Sequence, residues 1–288
     1  MHHAQQLRAL LKRDELLKAP GIYDGLSARL LEQAGFEAGF LSGACIAFAR
    51  FGQPDMGLVS AAEVVDTLGI IRERTNLPLI VDIDTGFGNA LNVQRTVKTF
   101  ERAGASALQM EDQMMPKRCG HMQGKQVIST DEMVGKIKAA LDARQSEQTL
   151  IIARTDALGV NGFDDAMERA QRYQEAGADL LFVEAPQSTA QMRTLGERFG
   201  QQTPLVHNLV EGGNSPVKTG AELAALNYKI ALYPAALLHA FVPIAERVLK
   251  HIFNRGDTLD LEGEMVDLNY MNTLLGADDL LAAAKKYR

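Results

Sequence analysis

Cysteine is scarce, with two in 288 residues. Two thiols cannot build the disulfide framework of a small secreted fold, and a chain this long needs none, since it buries about three quarters of its unfolded surface. No apolar run approaches the roughly 18 residues of a membrane span. Positive charge is also short: 30 Lys and Arg stand against 36 Asp and Glu, a formal net charge of −6. Nucleic acid as the main partner would call for a basic stripe, and the basic residues here are scattered. No His/Cys cluster has zinc spacing. The N-terminal MHHAQQLRALLKRDELL lacks the apolar core and small-residue cleavage site of a signal peptide and reads as an amphipathic helix. No stretch rich in Pro, Gly or Ser divides the chain. The expectation is one domain over 1–288 in a cytoplasmic protein, with no membrane and no nucleic-acid partner.

Short apolar runs are plentiful. They recur at Pro20–Tyr23, Ala38–Ser42, Pro78–Asp84, Ala107–Asp112, Thr149–Arg154, Asp179–Glu184, Pro204–Asn208 and Lys229–Pro234. Each is mostly apolar without alternation, the pattern of a parallel strand buried on both faces. Between them, apolar residues at three- and four-residue spacing predict helices, with cap candidates at Ser60, Asn92, Ser129 or Thr130, Asn161 and Ser188. Glycine follows three of the helices at Gly35, Gly104 and Gly177, where a left-handed residue stops a helix. Eight strand–helix units point to an α/β fold, a (β/α)8 TIM-type barrel, with a doubly wound open sheet as the alternative. The boundaries predicted are an N-terminal helix over 1–19, a barrel over 20–253 and a C-terminal helical tail over 254–288 that packs on the barrel or on a neighbouring subunit.

Active sites of such barrels lie at the C-terminal strand ends. Asp82 and Asp84 stand two apart at the end of the third run, so strand geometry puts both on one face. Burying two carboxylates together is costly unless a cation compensates, and a hard divalent ion such as magnesium does so. Glu111 on the next strand and Asp55 in the loop before add acidic oxygens. The alternative is a solvated pair capping the next helix. Lys117-Arg118-Cys119-Gly120-His121 lies in a long connection, where a thiol beside positive charge ionises more easily; the alternative is a basic loop with an inert cysteine. Cys45 reads as a small core residue. Arg154 closes an apolar strand and requires an anion, either a substrate carboxylate or a protein one such as Glu184. Ser42-Gly43-Ala44 reads as a small-residue turn whose backbone N–H groups could hold a carboxylate.

Taken in order, Ser42-Gly43-Ala44, Pro54-Asp55, DIDTGFGN at 82–89, MEDQ at 110–113, KRCGH at 117–121, ARTDA at 153–157 and the Asn208 strand end resemble the isocitrate lyase / phosphoenolpyruvate mutase superfamily. KRCGH points to its lyase branch. The chain is most similar there to the short lyases that act on 2,3-dimethylmalate and 2-methylisocitrate. The resemblance implies a magnesium-dependent barrel, with manganese a possible substitute, in a homotetramer of helix-swapped dimers. It implies that Asp82 and Asp84 hold the metal, with Asp55 and Glu111 acting through its waters. Ser42, Gly43, Ala44 and Arg154 would hold the 2-oxo acid carboxylate. Cys119 would be the acid–base thiol, tuned by Arg118 and His121. Gly120, His121, Glu184, Asn208 and Val210 would line the second half of the substrate.

Three places depart from the 2-methylisocitrate pattern, the first being the strand-six end, FVEAP where that enzyme usually has FPEA. His239 stands where that enzyme commonly carries an Arg, and the seventh strand ends in NLVEGGNSP. One fewer positive charge suits a dicarboxylic 2-hydroxy acid, a substituted malate, better than a tricarboxylate. The expected function is therefore a carbon–carbon lyase acting on a small 2-hydroxy acid and releasing a 2-oxo acid, pyruvate when C2 carries methyl. Rivals are an oxaloacetate decarboxylase or hydrolase with the same metal site and, more remotely, a non-enzymatic barrel that binds small acids.

Overall fold

The computed structural model describes residues 3–120, 124–261 and 263–287. In chain order its elements are α1 (His3–Leu11), β1 (Leu17–Ile22), α2 (Gly25–Gln33), β2 (Gly39–Leu41), α3 (Gly43–Phe51), α4 (Ala61–Arg72), β3 (Leu79–Asp82), α5 (Ala90–Arg102), β4 (Ala107–Glu111) and α6 (Thr130–Ala143). There follow β5 (Leu150–Thr155), α7 (Leu158–Asn161), α8 (Phe163–Glu175), β6 (Leu180–Val183), α9 (Thr189–Phe199), β7 (Leu205–Asn208), α10 (Gly220–Ala225), β8 (Tyr228–Tyr233), α11 (Ala236–Arg255), α12 (Leu268–Leu274) and α13 (Ala277–Lys285). The strands form one closed parallel barrel in sequence order, with β8 pairing back onto β1 through Leu17↔Ile230 and Pro20↔Tyr233.

All eight expected strands are present, with shifted ends. β1 begins at Leu17, earlier than Pro20, so the region assigned to an N-terminal helix holds α1 and the start of the first strand. Lys18 is exposed within it and breaks the apolar run that would have marked its start. The helix α3 replaces the expected small-residue turn: Ser42 caps it, its side chain accepting from Cys45 N at 3.3 Å. The cap of α5 is Asn89, which accepts from the backbone N–H groups of Leu91 and Asn92, while Asn92 returns the bond to Asn89 N. Asn161 ends α7, and α8 starts after Gly162 without a side-chain cap.

Parity along the strands sorts the core into two layers. Leu17, Ala19, Phe40, Ile80, Ile152, Leu180, Val206 and Ile230 point into the barrel and pack in one cluster with Leu7 and Leu10 of α1. Leu17, Leu150 and Leu180 open their strands, so α1 plugs the N-terminal end of the barrel. Its buried face is Ala4, Leu7 and Leu10, at helical spacing. The opposite strand faces, with residues such as Val81, Leu108 and Ile151, pack against Leu68, Val97, Phe100, Ile137 and Leu195 of the surrounding helices. Each fully buried side chain of this kind contributes about 1.5–3 kcal/mol. Interior positions at the C-terminal end are polar, and this makes the mouth the place for chemistry.

The C-terminal helices pack little. Leu238 is the one buried residue of α11, Leu274 that of α12, and α13 has none. Phe241, Leu249, Phe253, Leu268 and Leu280 lie exposed, Phe253 at 89%. Among the described residues, no helix is long and apolar enough to cross a membrane.

Candidate active site at the barrel mouth

Asp82 ends β3, and its side chain accepts from Asp84 N at 3.0 Å. Asp84 lies beyond the strand with φ at 47°. It joins Asp82 through this left-handed turn rather than by continued strand alternation, and such strain is characteristic of functional sites. Lys117 Nζ stands between the carboxylates, 2.5 Å from Asp55 Oδ1 and 2.8 Å from Asp84 Oδ1. Burial pushes Asp84 up to about 6 and raises Asp82 and Glu111 as well, against the pull of nearby Lys117 and Arg154. Lys117 remains charged: burial opposes its charge, but Asp84, Glu111, Asp82 and Asp55 outweigh that and raise its pKa.

The acceptors at this end exceed the donors. Glu111 Oε1, Gln109 Oε1 and Asn208 Oδ1 are buried without a hydrogen-bond partner, a cost of about 1–3 kcal/mol each if nothing fills the space between them. Hard oxygen ligands with spare acceptor capacity fit a hydrated divalent cation. Among the described residues, no three His, Cys, Asp or Glu side chains converge to ligate an ion directly, so water would have to complete its shell.

Arg154 at the end of β5 answers the demand for an anion with three protein carboxylates. It donates to Asp156 from Nε at 2.9 Å and Nη2 at 3.1 Å, and its guanidinium lies 3.2 Å from Glu111 and 3.7 Å from Glu184. Burial works against this charge, yet Asp156, Glu111 and Glu184 raise its pKa well above the ordinary value. Asp156 is held low by Arg154 and Lys125 in spite of its burial. The internal ion pair anticipated as the alternative for Arg154 is therefore present, with Asp156 as its principal member. Asp156 lies two residues after Arg154, just beyond the end of β5, and the spacing is visible in ARTDA.

The long connection after β4 folds down over this cluster. Gln113 grips it through its amide, donating to Arg118 O at 2.8 Å and accepting from Arg118 N at 3.0 Å. Cys119 N donates to Asp55 O at 3.2 Å. Gly120 passes so close to the barrel that a Cβ there would stand 2.4 Å from Arg154 Nη2 and 2.9 Å from Glu184 Cδ. His121 lies outside the described residues.

Beneath this loop is a cavity of about 240 Å³. Arg118, Cys119 and Gly120 roof it, and Ser42, Ala44, Asp55, Asp82, Glu111 and Arg154 line the side nearest β2–β5. Glu184, Asn208, Val210 and His239, with Glu211, come from β6–β8 and the segments after them, and Phe48 of α3 also lines the cavity. Asn208 Nδ2 donates to Glu184 Oε2 at 3.3 Å, and His239 Nδ1 is 3.3 Å from Glu211 Oε2. Gly43 and Asp84 back the Asp82 wall: a Cβ on Gly43 would meet Asp82 Oδ2 at 3.4 Å and Asp84 Oδ1 at 3.6 Å. Because Ser42 caps α3, the N–H groups next to it form a helix N-terminus, a stronger carboxylate cradle than a turn. Cys45 is buried, donates its thiol to Pro234 O at 3.0 Å, and is pushed up to about 11 by that burial. It is a packing residue. Sequence reasoning missed Lys117 as a partner of the carboxylates, and it missed Lys125 and Glu211, whose partners lie far along the chain or in loops without a motif.

The family model for phosphoenolpyruvate phosphomutase matches residues 7–253. The chain belongs to the phosphoenolpyruvate mutase/isocitrate lyase superfamily. Among curated superfamily members it is 39% identical over 287 residues to 2,3-dimethylmalate lyase of Eubacterium barkeri, covering 100% of this chain and 99% of that one. It is 43% identical to 2-methylisocitrate lyase of Aeropyrum pernix, covering 95% and 87%. Among solved superfamily structures, oxaloacetate acetylhydrolase bound to 3,3-difluorooxalacetate superposes with a TM-score of 0.93 at 32% identity, over 99% of this chain and 97% of that one. Phosphonopyruvate hydrolase, in a complex with oxalate and Mg++, superposes at 0.89 and 32%, over 100% and 99%.

Proposed function

We propose that this protein is a magnesium-dependent carbon–carbon lyase that cleaves a substituted malate to a 2-oxo acid, pyruvate when C2 carries methyl, and a carboxylic acid. The observation that carries this is the thiol of Cys119 roofing one cavity with Arg154 and the Asp82 carboxylate. Identity to the named lyases over nearly the whole chain supports it. Asp82 and Asp84 would hold the magnesium, with Asp55 and Glu111 reaching its waters; manganese is the expected substitute. When bound, the ion supplies a Lewis acid against the charge that develops on the substrate's C2 oxygen.

The chain's own residues do the rest. The α3 N-terminus at Ser42, Gly43 and Ala44, with Arg154, orients the C1 carboxylate. The C2 hydroxyl gives up its proton to a carboxylate of the cavity wall, for which Glu111 with its unpartnered oxygen is the candidate, as the C2–C3 bond breaks, and the electron pair stays on C3, delocalised into the adjacent carboxylate. Asn208 and the Gly120 backbone N–H would steady that charge. Cys119 then protonates C3, with Arg118 and His121 beside it in sequence as its tuning partners. The roofing loop keeps water from the carbanion.

The half-exposed His239–Glu211 pair favours a dicarboxylate. Glu211 already engages the imidazole, which leaves it less available to a third substrate carboxylate. A second reading, hydrolysis or decarboxylation of oxaloacetate, is favoured by the likeness to oxaloacetate acetylhydrolase. Incubating the protein and magnesium separately with 2,3-dimethylmalate, 2-methylisocitrate and oxaloacetate discriminates. Pyruvate from the first supports the lyase. Oxalate or carbon dioxide from the third, with no cleavage of the others, replaces it. Two cysteines without a disulfide suit a reducing, cytoplasmic setting, and the exposed apolar face of α11–α13 suits a homotetramer with exchanged helices.

A further inference from the structure

Lys125 does not line the cavity itself, yet its side chain is only 6% exposed. Its Nζ donates to Asp156 Oδ1 at 2.7 Å and also to the carbonyl oxygen of Gly120. Asp156 itself is fully buried, and its backbone N–H donates to Asp112 Oδ1 at 2.9 Å. Asp112 is held in turn by Thr155, Tyr173 and Arg169 at 2.7, 2.7 and 3.1 Å. Asp156 is thus a fixed anion with two cationic clients. One is Arg154, which faces the cavity. The other is Lys125, which reaches the loop residue directly after Cys119.

We infer that Lys125 is a positioning residue: anchored on Asp156, it latches the Gly120 carbonyl and so sets where the Cys119 thiol stands over the cavity. The inference rests on the lyase reading for its bearing on catalysis. The latch itself is a geometric claim that can be tested without substrate. Lys117 ties the loop on one side of Cys119 through Asp55 and Asp84, and Lys125 ties it on the other.

The test is Lys125→Met, with Lys125→Arg as the conservative variant and Lys125→Gln in place of Lys125→Met should the latter not fold. The first readout is the second-order rate of Cys119 alkylation by iodoacetamide without substrate, with buried Cys45 as the unreactive reference within the same chain. Lys125→Met should react about ten-fold faster than wild type, the shift in open-to-closed ratio expected for one lost charge-assisted hydrogen bond. Lys125→Arg should recover at least part of the protection. The second readout is cleavage of 2,3-dimethylmalate, in which kcat should fall about ten-fold or more while KM changes little. A lysine that merely stabilises the fold would lower the thermal midpoint and leave both readouts at the wild-type level, and that result overturns the inference. If wild type cleaves nothing, the lyase reading fails, but the alkylation rates still decide the latch.

Discussion

A serine at position 119 keeps the shape of the side chain but offers a far weaker acid. Cys119→Ser should therefore lower kcat by roughly 10²–10⁴, the range for a lost acid–base group. Calorimetric pyruvate binding with magnesium should be nearly unchanged, since Arg154, Ser42 and Asp82 are untouched. A variant cleaving at the wild-type rate would remove the thiol from the mechanism and favour the oxaloacetate reading. Specificity is a residue-scale matter too. His239→Arg puts a permanent charge beside Glu211, with donors to spare for a further carboxylate. The ratio of kcat/KM for 2-methylisocitrate to that for 2,3-dimethylmalate should rise by about ten-fold, the worth of one charge-assisted hydrogen bond. An unchanged ratio from steady-state kinetics would show that this end of the cavity does not read the substituent.

At the scale of elements, α1 is separated from the chemistry by the length of the barrel. Leu7→Ala empties part of the plug and should cost about 2–5 kcal/mol in urea unfolding, while KM stays at the wild-type value; a shift in KM would mean that the two ends communicate. The strands were legible in the sequence because burial on both faces demands unbroken apolar runs. The exception shows the rule: Lys18 points outward at the barrel's edge and hid the start of β1. The helix α3 was not legible, because SGACIAF is as apolar as a strand and begins with residues that also make turns. The carboxylates, the thiol and Arg154 could be found because each departs from its surroundings in polarity. Their lysine partners could not. Lys125 reaches Asp156 across 31 residues and Lys117 reaches Asp55 across 62, and only closure of the barrel brings those segments together.

For the whole molecule, the weakly packed tail is the feature that bears on self-association. Phe241, Leu249, Phe253, Leu268 and Leu280 leave an apolar face in water along α11–α13, an area that single soluble chains rarely expose. Sedimentation velocity at micromolar concentration should show an oligomer, and replacing Leu249 and Phe253 together by Asp should shift it toward monomer with cleavage of the barrel's substrate measured alongside. A wild-type monomer would end the exchanged-helix proposal. The cavity, for its part, has two walls of separate origin. The residues proposed to break the bond come from β2–β5 and their loops, whereas Val210, Glu211 and His239 come from the segments after β7 and β8. Such a layout makes the second wall an exchangeable cassette. Natural variation confined to two short stretches near the end of the barrel could redirect the enzyme to a new acid while the bond it breaks, and the way it breaks it, pass unaltered from ancestor to descendant.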